Sequence, residues 1–223
     1  KKMAEYMHFV IKEKNDNIWI AQREGRAKDS NDRTQPAVLK MMAMGGEGSP
    51  VERLMQLHIV PLAISYEYDP CDFLKAAEFQ LKRDVEGWKK SAADDVNSMR
   101  TGIMGYKGRV HYHCAPCIDE FLENLSPDIP KTKVFDVIAE HIDNEIFRNY
   151  RLYPSNYVAL DLLEGSSAHA GEYSAEDAAA FGKYIDGQLA KIDIPNKDEA
   201  FLRERMLTMY ANPARNYLSV AGK

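Results

Sequence analysis

Up to about residue 125 the hydrophobic pattern repeatedly changes period, and this limits the possible folds more than any other feature. Met3, Tyr6, Met7, Val10 and Ile11 recur at helical spacing and mark a helix buried on one face. Asn15-Asp16-Asn17 supplies turn chemistry, and residues 18–21 then read as a short buried strand. Helical spacing returns through Val38, Leu39, Met41 and Met42 and stops at Gly45-Gly46. Ser49-Pro50-Val51-Glu52 combines an N-cap serine, a proline at the first helical position and a capping-box glutamate.

Residues 58–68 read as a second strand, with Pro61 suggesting an edge or a strand start. Asp69-Pro70 opens a helix through Phe73, Leu74, Ala77 and Leu81. Gly102, Gly105 and Gly108 mark turns, and residues 109–114 alternate like a third strand. After Pro130 the pattern becomes helical. Phe135, Ile138, Ile142, Ile146 and Tyr150 make one stripe. Ser174 starts a helix through Phe181, Tyr184 and Ile185, and Leu202, Met206, Met209 and Tyr210 give a last one. Strands alternating with helices predict an α/β fold: a largely parallel sheet with flanking helices over residues 1–125, followed by a helical C-terminal extension over 126–223.

Composition removes several function classes. The 223 residues carry a net charge of −5, so no global basic field favours nucleic acid as a partner. The 45% hydrophobic content is enough for a core. No run approaches the about 18 apolar residues that a membrane span requires. Three cysteines, Cys71, Cys114 and Cys117, are too few for a disulfide scaffold and suit a reducing, cytoplasmic setting. The first helix begins at Lys1 without a lead-in, which suggests the later part of something longer.

The loop after residue 21 concentrates chemistry. Gly25 permits close backbone approach to a ligand, and Arg23, Arg26, Lys28 and Arg33 supply donors suited to phosphate. Glu24 can orient an arginine or bind a hydroxyl. A solvated turn with surface ion pairs accounts for the same residues.

Glu24-Gly25-Arg26 just after a strand, and Val60-Pro61 in the next, resemble the third and fourth motifs of the glycerolipid acyltransferase superfamily, the lysophosphatidic acid and glycerol-3-phosphate type. Residues 108–121 resemble the strand that follows, with Pro116 at its proline. Arg23 stands where that family usually has proline, and the threonine between its glycine and arginine is missing. The resemblance implies transfer of a fatty acyl group from a thioester, coenzyme A or acyl carrier protein, to a hydroxyl of a glycerol-phosphate or lysophospholipid acceptor. It implies no bound cofactor or metal, and a location at the inner membrane face. Arg23, Glu24, Gly25, Arg26 and Lys28 would hold the acceptor phosphate, and Val60 and Pro61 would form the site wall. The family's catalytic His-x-x-x-x-Asp is missing, since none of the six histidines has aspartate five residues later. The catalytic half is therefore expected upstream of Lys1, and this chain is expected to be inactive alone. A non-catalytic phospholipid-binding module is the alternative.

A rival cluster is His111-Tyr112-His113-Cys114-Ala115-Pro116-Cys117. Its Cys-x-x-Cys suggests a metal or thiol site at Cys114 and Cys117, although a structural role is the plainer expectation. His58 and His141 sit on otherwise apolar patterns and read as hydrogen-bonded core or boundary residues.

Overall fold

The computed structural model describes residues 1–23 and 27–222. Helix makes up 55% and strand 5% of the described residues. Ten α-helices are described: α1 (Lys2–Lys12), α2 (Pro36–Met42), α3 (Pro50–Met55), α4 (Asp72–Asp84), α5 (Ala92–Met104), α6 (Asp119–Glu123), α7 (Val134–Arg148), α8 (Pro154–Glu164), α9 (Ala175–Leu189) and α10 (Glu199–Val220). Among the described residues there are two strands, β1 (Leu62–Tyr66) and β2 (Val110–Cys114), which pair with each other.

The expected parallel sheet is therefore corrected. Ala115 N–H donates to the Pro61 carbonyl and Glu67 N–H to that of Arg109, so the partners run in opposite directions and the pair is antiparallel. A parallel strand has to be covered on both faces, whereas Val110 and Tyr112 of β2 are exposed. Residues 18–21 form no strand, and Trp19 is 74% exposed. An apolar run of four gains nothing from an extended conformation when no neighbouring strand can take its hydrogen bonds.

Two compact units emerge. The first comprises residues 1–26, 32–63 and 112–149. In it α2 packs on α1, α3 and α7, and α3 packs on α6. Its buried side chains include Met7, Leu39, Leu54, Ile118, Leu122, Ile138, Ile142 and Phe147. Gly45 is required here, because a Cβ on it would lie 2.7 Å from the Ala4 carbonyl oxygen. The start of α3 follows the sequence: Ser49 Oγ accepts from Glu52 N–H, and the Glu52 carboxylate accepts from Ser49 N–H.

The second unit comprises residues 27–31, 64–111 and 150–223. Here α10 packs on α8, α4 and α9. Leu202, Met206, Met209 and Tyr210 of α10 meet Phe181, Ile185 and Leu189 of α9 and Val158 and Leu160 of α8. That stripe is the one the helical spacing marks. No helix among the described residues is long and apolar enough to cross a membrane.

Candidate metal centre

In the first unit, α3 ends in two tight backbone bonds, Leu57 N–H to the Leu54 carbonyl and His58 N–H to the Met55 carbonyl. His58 then takes φ +48°, the left-handed region that L-residues enter at a cost and where histidine is over-represented. This sharp turn sends Ile59 and Pro61 along the segment that follows β2. Ile118 N–H donates to the Ile59 carbonyl (3.0 Å) and Ala115 N–H to the Pro61 carbonyl (2.9 Å). Leu54, Leu57, Ile118 and Leu122 are buried beside these bonds.

The consequence is that His58 meets Cys117 and Asp119, residues distant in sequence. Nitrogen, sulfur and oxygen atoms of the three side chains lie within 4.8 Å of one another. His58 Nδ1 is 2.6 Å from Asp119 Oδ2. The other carboxylate oxygen, Asp119 Oδ1, is buried and has no hydrogen-bond partner among the described residues. Burial pushes the Cys117 thiol above its ordinary pKa; the Asp119 backbone hydrogen bond opposes this, and the Asp119 carboxylate adds to the rise.

One imidazole, one thiol and one carboxylate form a mixed N/S/O set of the kind zinc accepts. Ligands on a tetrahedral ion at zinc–ligand distances sit roughly 3.3–3.6 Å apart. The three ligand atoms lie within 4.8 Å of one another, close to that spacing. His58 and Cys117 are solvent-exposed, so the site is open to ions from outside.

The cluster differs from the expected Cys114/Cys117 pair. Cys114 is exposed at the end of β2 and is not among the three converging side chains. The reading of His58 as a core or boundary residue is half right, since it is hydrogen-bonded but exposed. Sequence inspection singled out Cys-x-x-Cys, while the pair that converges with His58 is Cys-x-Asp. Only the ladder between residues 59–61 and 115–118 reveals this.

Of the expected phosphate-binding residues, Glu24, Gly25 and Arg26 lie outside the described residues. Arg23 pairs with Asp32 at 3.7 Å. Lys28 pairs with the buried carboxylate of Glu78, which also receives Lys82 at 3.1 Å. Val60 is exposed, while Pro61 is buried and serves the ladder.

The described structure overturns the acyltransferase reading. The sheet that would carry such a site is absent among the described residues, and a two-stranded antiparallel pair stands in its place. The expected role in acyl transfer and phospholipid synthesis falls with it. Comparison of the chain with protein-family models, curated proteins and solved structures finds no match.

Proposed function

We propose that the protein binds a divalent transition metal, zinc being the best fit, through His58, Cys117 and Asp119. The observation that carries this reading is the convergence of three chemically different ligand groups from two chain segments held by one backbone ladder. Two features support it. His58 occupies a backbone conformation more costly than its neighbours', and Asp119 keeps a buried oxygen without a partner. Three protein ligands leave a fourth position for water, the pattern of sites that exchange ligands.

Metal binding must displace the Cys117 proton, because the thiolate is the ligand. The thiol's raised pKa therefore makes affinity pH-dependent, increasing about tenfold per pH unit while the thiol remains protonated. The cytoplasm, where thiols stay reduced, is the compartment in which Cys117 keeps this role.

Titration with Co²⁺ tests the proposal through the thiolate-to-cobalt absorption band. We expect one equivalent to bind, and Zn²⁺ to displace it. His58→Ala, Cys117→Ser and Asp119→Asn should each weaken binding by roughly tenfold or more. Cys114→Ser should leave it unchanged. Absence of saturable binding, or equal loss in Cys114→Ser, overturns the assignment.

One observation favours a second reading. The Asp119 bond to His58 would orient the ring for work as a base toward Cys117. Such a nucleophile needs a lowered thiol pKa, and here the direction is upward. Thiol alkylation rates against pH separate the two, since an activated Cys117 would react well below the pH at which Cys114 does.

A further inference from the structure

Helix α5 folds without contributing a single buried side chain. An isolated helix of its 13 residues is marginal in water, and Val96, Thr101, Gly102 and Ile103 are poor helix formers. Its small residues face its own chain. A Cβ on Gly102 would lie 3.5 Å from Cys71 Sγ, and one on Gly105, just past the helix, 2.4 Å from Pro70 Cβ. Cys71 Sγ donates to the Ser98 carbonyl at 3.4 Å.

Roughly a third of a turn away, Val96, Met99 and Ile103 form a continuous apolar stripe, from 56% (Met99) to 71% (Ile103) exposed. Met104 and Tyr106 extend this exposed apolar surface past the helix end. The spacing is that of a coiled-coil seam, with Val96 and Ile103 at a and Met99 at d. In this register Asp95 falls at g and Arg100 at the following e. These are the two positions that form an ion pair between parallel helices. Both are exposed. Asp95 reaches Lys90 of its own chain at 3.0 Å, and Arg100 has no ion-pair partner among the described residues.

We propose that α5 is a self-association surface, pairing in parallel with α5 of a second copy of this chain. Val96, Met99 and Ile103 form the seam, and Asp95 of each copy meets Arg100 of the other. Charge selects the orientation. An antiparallel pair would set g against g and e against e, so Asp95 would no longer meet Arg100.

Sedimentation equilibrium of the full chain tests this. The expected result is a monomer–dimer equilibrium that Ile103→Glu abolishes with the far-ultraviolet circular dichroism unchanged. Ile103 is exposed, so that substitution does not disturb the core. Asp95→Arg should raise the dimer dissociation constant by about tenfold, and Asp95→Arg with Arg100→Asp should restore it. A monomer at the highest soluble concentration overturns the proposal. So does a dimer indifferent to Ile103→Glu, or a double reversal no better than the single one. A monomeric chain that sediments with liposomes through Ile103 also overturns it, and would assign the face to lipid.

Discussion

Asp72 shows how one residue can set the pH response of a core. It is fully buried at the first position of α4, and no ion pair with a cation is found among the described residues. Its carboxylate accepts from Tyr184 Oη (2.8 Å), Tyr210 Oη (2.7 Å), Gln188 Nε2 and Phe73 N–H (both 2.6 Å). Lys75, one turn further along α4, pairs with Asp69. Burial wins over these hydrogen bonds, and the pKa rises from 3.8 to about 6. The folded state thus holds the proton more tightly than the unfolded chain. This contribution favours folding below about pH 4 and is lost as pH rises through about 6. Its full size is about 3 kcal/mol, at 1.36 kcal/mol per pKa unit. Asp72→Asn keeps the shape and removes the titration. Denaturation midpoints from pH 5 to pH 8 should fall for the native chain relative to the variant. Parallel pH profiles for the two would show that Asp72 does not carry the effect.

Among the elements, α5 separates what local chemistry achieves from what packing achieves. Ser91 and Asp94 form a reciprocal cap at its start, with Asp94 N–H donating to Ser91 Oγ at 3.2 Å and Ser91 N–H to Asp94 Oδ2 at 3.0 Å. With no buried side chain, the helix depends on this cap far more than α10 does on its own. Ser91→Ala should cost about 1 kcal/mol locally. Amide exchange in α5 should then quicken about fivefold, while the global unfolding midpoint stays put. A fall in the midpoint would mean that α5 is part of the cooperative core. The same contrast explains what was legible in the sequence. Long stripes such as Ile138-Ile142-Ile146 and Leu202-Met206-Met209 read correctly because burial enforces their period. The turn expected at Gly102 falls inside α5; Gly102 and Gly105 look like breakers until Pro70 and Cys71 are seen against them. The strand expected at residues 18–21 failed because extended structure depends on a partner that a local window does not contain. His58 was invisible as a ligand for the same reason, since its companions arrive through the ladder at residues 115–118.

At the scale of the whole molecule, the chain threads between its two units, and each is assembled from three separate stretches. Residues 27–31 belong to the second unit though the segments on either side belong to the first. There Asn212 Nδ2 donates to the Asp29 carbonyl at 2.7 Å. The β1 strand begins in the first unit and ends in the second. Neither unit can therefore unfold without releasing segments whose neighbours along the chain are anchored in the other. This connectivity predicts one cooperative transition in calorimetry, with matching calorimetric and van't Hoff enthalpies. The test places a cavity in each core. Ile138 and Met206 are completely buried, in the first and second unit respectively. Replacing either with alanine removes several methylene-sized contacts and should cost about 2–5 kcal/mol. Both substitutions should shift the same single transition downward. Two transitions, each moved by only one substitution, would instead show the units to be thermally independent. In that case each core owes its stability to its own stripes alone, and the interleaved chain acts as a tether without coupling them.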